Sequence, residues 1–204
     1  MVRIDPPPPK RTTDPVLYLL PAAATLQRIY RPDQYGSTAC GFRTDGPFSR
    51  FDHHEPGQQR GIHYSAFSLS GCVVEVFGDT GVVETQGCRL ALIRTTRTLQ
   101  LLDLRGSGAM RAGSVAALSA IADRDLSQAW SRHFYSSHAV DGLLYSNAHN
   151  SESAIALYDR AEAAISCSRD LGLDDPLLRS RLLQICRDHA LVMAGGGIKE
   201  APGC

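Results

Sequence analysis

One glutamate, Glu75, lies where a charged side chain is hard to accommodate. It falls inside the run Cys72–Phe77, which is apolar on both sides of it. Burying an unpaired carboxylate in such surroundings costs several kcal/mol. The residue pattern therefore leaves two alternatives. Either the side chain faces solvent, or a positively charged group meets it, in a structural ion pair or in a site.

Two arginines are candidate ligands for an anion. Arg28 lies between Leu26 and Tyr30 in an alternating segment, so a strand would place all three on one face. Such an arginine either extends its stem along apolar surface or binds an anion. Arg50 follows a turn between two phenylalanines, and its alternative is a surface salt bridge. Arginine makes up 19 of the 21 basic residues, a bias that suits planar recognition of phosphate or carboxylate but that a GC-rich genome also explains.

Tyr64 is an aromatic candidate that opens a predicted strand and precedes Glu75 by eleven residues. A tyrosine in an apolar strand is most often a core residue. Its other role is as the wall of a pocket, and the residue type alone does not distinguish the two.

A metal site is the least favoured of the candidates. The segment Asp52-His53-His54-Glu55, with His63 behind it, offers ligand types. Adjacent histidines point to opposite sides of an extended chain, however, and no HExxH spacing is present. We therefore expect no metal, and a metal-dependent hydrolase built on Asp52, His53 and His54 stays a minor alternative.

Charge and motifs exclude several function classes. The 21 basic residues balance 21 acidic ones at a pI near 7.0, which argues against direct nucleic-acid binding. No GxxxxGK[ST] or GxSxG motif occurs, and Gly106-Ser107-Gly108 lacks the third glycine of a dinucleotide fingerprint.

The sequence also predicts a cytoplasmic address without a membrane span. The first 15 residues contain no apolar signal region, and no apolar run approaches the ~20 residues of a transmembrane helix. The six cysteines form no CxxC pair, and we expect reduced thiols.

The elements that must position these residues indicate an α+β fold. Apolar alternation predicts strands over 26–31, 63–69, 89–95, 99–104 and 142–145. Helical spacing predicts helices over 72–77, 112–122 and 126–135, the first capped by Ser68 or Ser70. A last helix has Asp175 as N-cap and Pro176 at its first position, and is predicted to end at Gly195–Gly197. Ser153–Tyr158 is ambiguous between helix and strand.

The organisation is that of one domain over 17–204, preceded by a proline-rich segment, 1–16, that is expected to be extended or disordered. A polar stretch from Asp33 to Gly61 has no clear period, which is typical of a functional or disordered segment.

Several motifs, taken in their order along the chain, resemble those of the RES-domain family, which is named for a recurring arginine, glutamate and serine. The similarity covers about residues 25–165 and is carried by Arg28–Arg31, Phe42-Arg43, Gly46–Asp52, His63–Ala66, Val73–Phe77 and Asp141–Tyr145. Each motif is weak alone, and the ordered set is moderately specific.

The resemblance implies a small relative of the ADP-ribosyltransferase fold, with a mixed-sheet core and flanking helices. It implies a toxin of a toxin–antitoxin pair that degrades NAD+ as a substrate, with no separate cofactor, and that a cognate antitoxin silences. Carried over by position, it assigns catalysis to Glu75 and Arg28 and substrate binding to Arg50, Tyr64 and Asn147.

The serine is where this sequence departs from the family. The family's serine stands two residues after the tyrosine of a late strand, and here Tyr145 is followed by Ser146 and then by Asn147. Asn147 occupies the expected place, and an amide can still donate and accept hydrogen bonds.

The resemblance leaves three functions open. The first is an NAD+ glycohydrolase or NAD+ phosphorylase, which cleaves the nicotinamide–ribose bond with water or phosphate. The second is an ADP-ribosyltransferase that modifies a protein, and the third is a RES-like module that binds without turnover. Self-association also stays open.

Overall fold

Eight strands form one mixed sheet that carries two of the candidate residues, Arg28 and Tyr64. The computed structural model describes residues 4–32, 37–52 and 60–194. The strands of the sheet are β1 (Leu17–Leu20), β2 (Thr25–Tyr30), β3 (Ile62–Ala66), β5 (Arg89–Thr95), β6 (Leu99–Asp103), β7 (Gly142–Ser146), β8 (Ser153–Tyr158) and β9 (Ile165–Gly172). Their order across the sheet is β1-β6-β7-β8-β3-β2-β5-β9, in which only β6 and β7 are parallel neighbours.

The helices flank this sheet, and a parallel pair of short strands lies apart from it. The pair is β4 (Val82–Val83) with β10 (Val192–Met193). The helices are α1 (Leu69–Phe77), α2 (Gly108–Arg111), α3 (Arg124–Ser137) and α4 (Pro176–Asp188), with 3₁₀ turns at Ala116–Ser119 and Asp159–Ala164. This arrangement confirms the predicted α+β class with a mixed-sheet core and flanking helices.

Strand alternation divides the core into three apolar clusters. One contains Trp130 and Phe134 of α3 together with Leu143 of β7. A second lies on the other side of β7, around Leu144. The third joins α1 and α4 to β5 through side chains such as Val73, Leu182 and Leu90. Alternate residues of one strand thus enter different clusters, as a period of two requires.

The adjacent strands β2 and β3 diverge from each other within the sheet. Along its whole length β2 pairs with β5, and along its whole length β3 pairs with β8. With each other they pair only at Gln27 and Ala66. Beyond that pair the two strands part, and the backbone leaves room for side chains between them.

Helix α1 contacts both β2 and β3 and carries Glu75. Its N-cap is Ser68, whose hydroxyl accepts a hydrogen bond from the Gly71 N–H at 2.9 Å. At its end Gly78 has no room for a side chain, because an added Cβ would lie 2.8 Å from the His149 ring and 2.4 Å from the Val74 carbonyl oxygen. Val73 and Phe77 are buried, whereas Glu75 and Val76 are on the exposed face.

Most predicted elements are confirmed, and one helix is wrong. The strands at 26–31, 89–95, 99–104 and 142–145, the α1 region and the α3 region are all present, and Ser153–Tyr158 is a strand. No helix spans 112–122, however. Gly113 adopts φ +94°, and a Cβ there would meet Pro9 at 2.5 Å, so the chain turns after α2 and forms only a short 3₁₀ turn.

The last helix and the edge strands also differ from the sequence analysis. Asp175 caps α4 and Pro176 opens it, as predicted, but the helix ends at Asp188, before Gly195–Gly197, which lie outside the described residues. Strands β1 and β9 were not predicted. Both are edge strands, and most of β9 is exposed and polar, so neither shows clear apolar alternation.

The segment before β1 contains no helix or strand in its described part and lies along the helical side of the fold. The indole N–H of Trp130 donates to the Asp5 carbonyl at 2.9 Å, and Arg11 donates to the Ser114 carbonyl at 2.7 Å. Of the described cysteines, Cys40, Cys72, Cys88, Cys167 and Cys186, none is in a disulfide. No helix in the described ranges is long and apolar enough to cross a membrane.

The two faces of α1 predict different responses to the same substitution. Val73 is 0% exposed and Val76 is 44% exposed. We expect Val73→Ala to lower the free energy of unfolding by about 2 kcal/mol, because it leaves space among packed side chains. Val76→Ala should change it by less than about 0.5 kcal/mol. Urea denaturation measures both, and equal losses would contradict this placement of α1.

Candidate active site

Two adjoining cavities open where β2 and β3 part. The first, which we call the arginine cavity, has a volume of about 480 Å³ and is lined by Arg28, Tyr30, Arg31 and Arg43 among others. The second, the glutamate cavity, has a volume of about 560 Å³. Its polar lining residues are Ser49, Arg50, Tyr64, Glu75, Asp79, Arg124 and His149. Phe48, Tyr64 and Val76 line both cavities, which therefore form one cleft.

Glu75 points from α1 into the glutamate cavity. Its side chain is accessible to water, and no described residue donates a hydrogen bond to its carboxylate. Enclosure by the cavity walls raises the pKa of Glu75, and the positive charges of Arg50, His149 and Arg124 oppose that rise. The sequence left open whether Glu75 faces solvent or meets a positive group. Both hold in part, because the carboxylate reaches solvent through a cleft and positive groups surround it.

Arg50 faces the same cavity from the loop near the end of the described range 37–52. Its Nη1 donates a hydrogen bond to the Ile121 carbonyl, in the segment that leads into α3. Burial lowers the pKa of Arg50, with a smaller contribution from Arg124, while Glu75 acts in the opposite direction. One hydrogen bond to the backbone thus fixes the guanidinium beside the carboxylate.

Arg28 lines the arginine cavity from β2. Its Nη1 donates to the Gly41 carbonyl at 2.8 Å and contacts His63 Nδ1 at 2.6 Å. Burial, and next the charge of Arg43, lower the pKa of Arg28 to about 10, so it is still a cation at neutral pH. The predicted strand face is confirmed, because Leu26 and Tyr30 share the cluster on that side of β2.

Asp52 organises the loop between the two cavities, although its side chain is only 1% exposed. One oxygen, Oδ2, accepts from the N–H groups of Phe48 and Ser49 at 2.9 and 2.8 Å and from Arg43 Nη2 at 2.5 Å. The other, Oδ1, accepts from the Tyr64 hydroxyl at 2.9 Å. Every oxygen of this buried carboxylate is therefore paired.

Tyr64 forms the wall that the two cavities share. Its hydroxyl donates to Asp52 and accepts from the Phe51 N–H at 3.0 Å. Burial, followed by the Asp52 charge, raises the pKa of Tyr64 well above its usual value. The hydroxyl is thus occupied and neutral, and the ring is the part of Tyr64 that faces a ligand.

Asn147 does not line either cavity. Its side chain is 2% exposed, donates to the Gly71 carbonyl at 3.3 Å and accepts from the His149 N–H at 2.7 Å. It ties the loop after β7 to α1, and its neighbours Ala148 and His149 line the glutamate cavity instead. Ser146 is half-buried and pairs with Ser153 at the end of β7.

The cleft also contains residues that were not singled out from the sequence. Arg43 lines the arginine cavity, and its guanidinium carbon lies 5.6 Å from the Phe48 ring centre and 5.9 Å from that of Tyr64. Its motif with Phe42 is its only signal in the sequence. Arg124 and His149 line the glutamate cavity from α3 and from the loop after β7, and no local pattern marks either.

Of the residues considered for a metal site, only Asp52 and His63 lie in the described ranges, and both bind other side chains. His53, His54 and Glu55 are outside the described residues. Asp52 binds Arg43 and Tyr64, whereas His63 binds Arg28 and Ser65. Across ranges 4–32, 37–52 and 60–194, no three side chains of the ligand types His, Cys, Asp and Glu are grouped closely enough to hold a metal ion.

Comparisons with known proteins agree with this architecture. The family model described as the RES domain matches residues 25–178. Among solved structures, the chain is similar to the crystal structure of the M. tuberculosis MbcT–MbcA toxin–antitoxin complex, with a TM-score of 0.59 and 17% identity, over 79% of this chain and 90% of that chain. At that identity the similarity concerns the fold. No curated protein sequence matches.

The Asp52 network predicts a graded loss of stability. Asp52→Asn removes the charge that pairs with Arg43, and we expect it to lower the free energy of unfolding by about 2–3 kcal/mol. Tyr64→Phe removes only the hydroxyl bonds to Asp52 and Phe51 and should cost about 1 kcal/mol. Urea denaturation of the two variants compares them. If Asp52→Asn costs no more than Tyr64→Phe, the carboxylate charge does not organise the loop.

Proposed function

The chain belongs to the RES domain family, and from this premise we propose that it cleaves the nicotinamide–ribose bond of NAD+ as the toxin of a toxin–antitoxin pair. The observation that carries the proposal is the placement of Glu75. A carboxylate without a hydrogen-bond donor among the described residues faces a cavity that also contains Arg50. The adjoining cavity contains Arg28 and Arg43.

The residue types suit the chemistry of this cleavage. Nicotinamide is a cationic ring in NAD+ and leaves as a neutral molecule, so its departure needs no general acid. The reaction needs a group that stabilises the positive charge that develops on the ribose. Glu75 supplies that negative charge and can hold a ribose hydroxyl, as carboxylates do in glycoside cleavage. The occupied hydroxyl of Tyr64 is consistent with a mechanism that requires no proton donor there.

The arginines would hold the anionic part of the substrate. A guanidinium donates two parallel hydrogen bonds to phosphate oxygens. Arg28 and Arg43 would bind the diphosphate in the arginine cavity, and Arg50 would meet it from the side of Glu75. The Tyr64 ring, at the junction of the cavities, would pack against the nicotinamide or the ribose. Glu75 would thus act at the reacting ribose, while the arginines and the Tyr64 ring bind and orient the rest of the substrate.

A partner protein follows from this activity. A chain that destroys NAD+ without restraint would kill its own cell, so it requires an inhibitor. We propose a cognate antitoxin that covers the cleft. A structurally similar protein is a toxin seen in complex with its antitoxin, which supports the proposal.

A second candidate function is favoured by the side chain of Asn147. This residue occupies the position of the family's serine, yet its amide binds the backbone beneath the cavity wall. A RES-like module that binds a dinucleotide without turnover would tolerate that arrangement. Calorimetry that detects NAD+ binding to a protein that releases no nicotinamide would favour this function.

The direct test of the proposed reaction is an NMR time course of the protein with NAD+, with and without phosphate. We expect free nicotinamide to appear with the wild-type protein and not with Glu75→Gln. A requirement for phosphate would identify a phosphorylase, and transfer of label from NAD+ to protein would identify an ADP-ribosyltransferase. Glu75→Gln that retains full activity would exclude the proposed role of this carboxylate.

The stability of Glu75→Gln serves as the control in that experiment. Because the folded protein raises the pKa of Glu75 above its unfolded value, ionisation of this group opposes folding at neutral pH. The variant should therefore unfold at the same temperature as the wild type or at a higher one at pH 7. The difference should vanish as the pH falls below the unfolded pKa of the carboxyl. Lost activity then reports on chemistry, because the fold is intact.

The pKa of Glu75 also predicts how activity falls on the acid side of the pH profile. Glu75 acts as a carboxylate, so kcat/KM should fall as the pH falls through its pKa, which lies above the ordinary value of 4.5. Arg124→Gln removes a positive charge that opposes this rise, and we expect the limb to move to higher pH. The comparison is made in a His149→Gln background, because His149 also contributes charge to the same cavity. A limb that stays in place or moves to lower pH would contradict the electrostatic role of Arg124.

A further inference from the structure

A buried histidine, His63, lies directly behind Arg28. It is on β3, its side chain is 0% exposed, and it lines neither cavity of the cleft. We propose that His63 is a positioning residue for Arg28, which holds the guanidinium in the orientation that binds the substrate. This inference rests on the proposed function and gives a role to His63, which lies in one of the motifs that resemble the family but has no role assigned from that resemblance.

The hydrogen bonds determine which nitrogen of His63 carries the proton. Arg28 has donors only, so the contact of 2.6 Å requires His63 Nδ1 to accept from Arg28 Nη1. The proton of the neutral ring is then on Nε2, which lies 2.6 Å from the Ser65 hydroxyl oxygen and donates to it. The chain of donors runs from Arg28 through His63 to Ser65.

The surroundings keep His63 neutral and in place. Burial, followed by the charge of Arg28, lowers the pKa of His63 well below its ordinary value. The Phe42 ring packs against the imidazole with 5.3 Å between ring centres. The Gly41 carbonyl, which lies near Nδ1, accepts from the same Nη1 of Arg28. Two acceptors on separate segments, one in β3 and one in the loop after β2, therefore hold a single guanidinium nitrogen.

This arrangement leaves the rest of the guanidinium for a ligand. Among the described residues, none accepts a hydrogen bond from Nε or Nη2 of Arg28, and the side chain lines the arginine cavity. An arginine without such support loses considerable side-chain entropy when it binds. Displacement of a binding group by ~1 Å costs up to about 100-fold in rate. A neutral acceptor behind Arg28 restricts its motion and adds no charge that would compete with phosphate.

The test compares His63→Leu, which removes the acceptor, with His63→Asn, whose Oδ1 can accept near the former position of Nδ1. His133→Asn is the matched control, because His133 lies on α3 away from the cleft. We expect His63→Leu to raise the KM for NAD+ by about 10- to 100-fold with a smaller fall in kcat. His63→Asn should recover a large part of this loss, and His133→Asn should behave as the wild type.

Rescue by asparagine separates positioning from packing, because asparagine fills the ring cavity less well than leucine does. His63→Leu that folds and keeps the wild-type KM and kcat would overturn the proposal. So would equal losses in His63→Leu and His63→Asn with equal losses of stability, since they would reflect packing alone.

A second measurement does not depend on turnover. Long-range ¹H–¹⁵N NMR of the wild-type protein should show His63 with a proton on Nε2 and a bare Nδ1, and Arg28→Leu should shift the Nδ1 resonance. A proton on Nδ1 would overturn the proposal even if His63→Leu fails to fold. If the wild type releases no nicotinamide, the proposed function fails, and the NMR result still decides whether His63 supports Arg28.

Discussion

The parting of β2 from β3 is the constraint on which the cleft depends. Two neighbouring strands of a sheet normally satisfy each other's backbone groups along their length. Here each strand is fully paired on its outer side, with β5 or with β8, and the two meet at one residue pair. The separation places Arg28 on one side and Tyr64 on the other. Helix α1, which contacts both strands, brings Glu75 to the opening.

The charged side chains of the cleft need partners that do not occupy the space a ligand would enter. Asp52 is such a partner, because its buried carboxylate pairs with Arg43, with Tyr64 and with two backbone N–H groups. Backbone carbonyls hold Arg50 and Arg28. Within the described ranges, Arg28, Arg43 and Arg50 are therefore each anchored through one guanidinium nitrogen only. Glu75 differs from all of them, because it has charges nearby and no hydrogen-bond donor among the described residues, and this leaves it available to a ligand.

The sequence predicted the fold class and most of the elements because apolar periodicity and capping residues are local signals. Asp175 and Pro176 predicted the start of α4, and Ser68 was one of two predicted caps for α1. The helix over 112–122 was wrong because Gly113 adopts a positive φ and packs against Pro9, a contact that apolar spacing does not reveal. The exposed edge strand β9 was missed because its pattern is polar.

The residue types predicted which side chains would line a cleft, but they did not predict how those side chains pair with one another. Glu75, Arg28, Arg50 and Tyr64 do line one cleft, and Asn147 does not. His63 was considered with nearby histidines as a weak metal ligand, whereas its partner is Arg28, 35 residues earlier. Such partners depend on strand register and on where the sheet opens, which single-residue patterns do not specify.

We propose that one dinucleotide spans the two cavities, with its diphosphate at the arginines and its nicotinamide ribose at Glu75. A crystal structure of Glu75→Gln with NAD+ bound tests it most directly. We expect phosphate oxygens within hydrogen-bond distance of Arg28 and Arg43, and the ribose carbon that bears nicotinamide beside residue 75. A dinucleotide bound outside the cleft, or with its nicotinamide end in the arginine cavity, would contradict it.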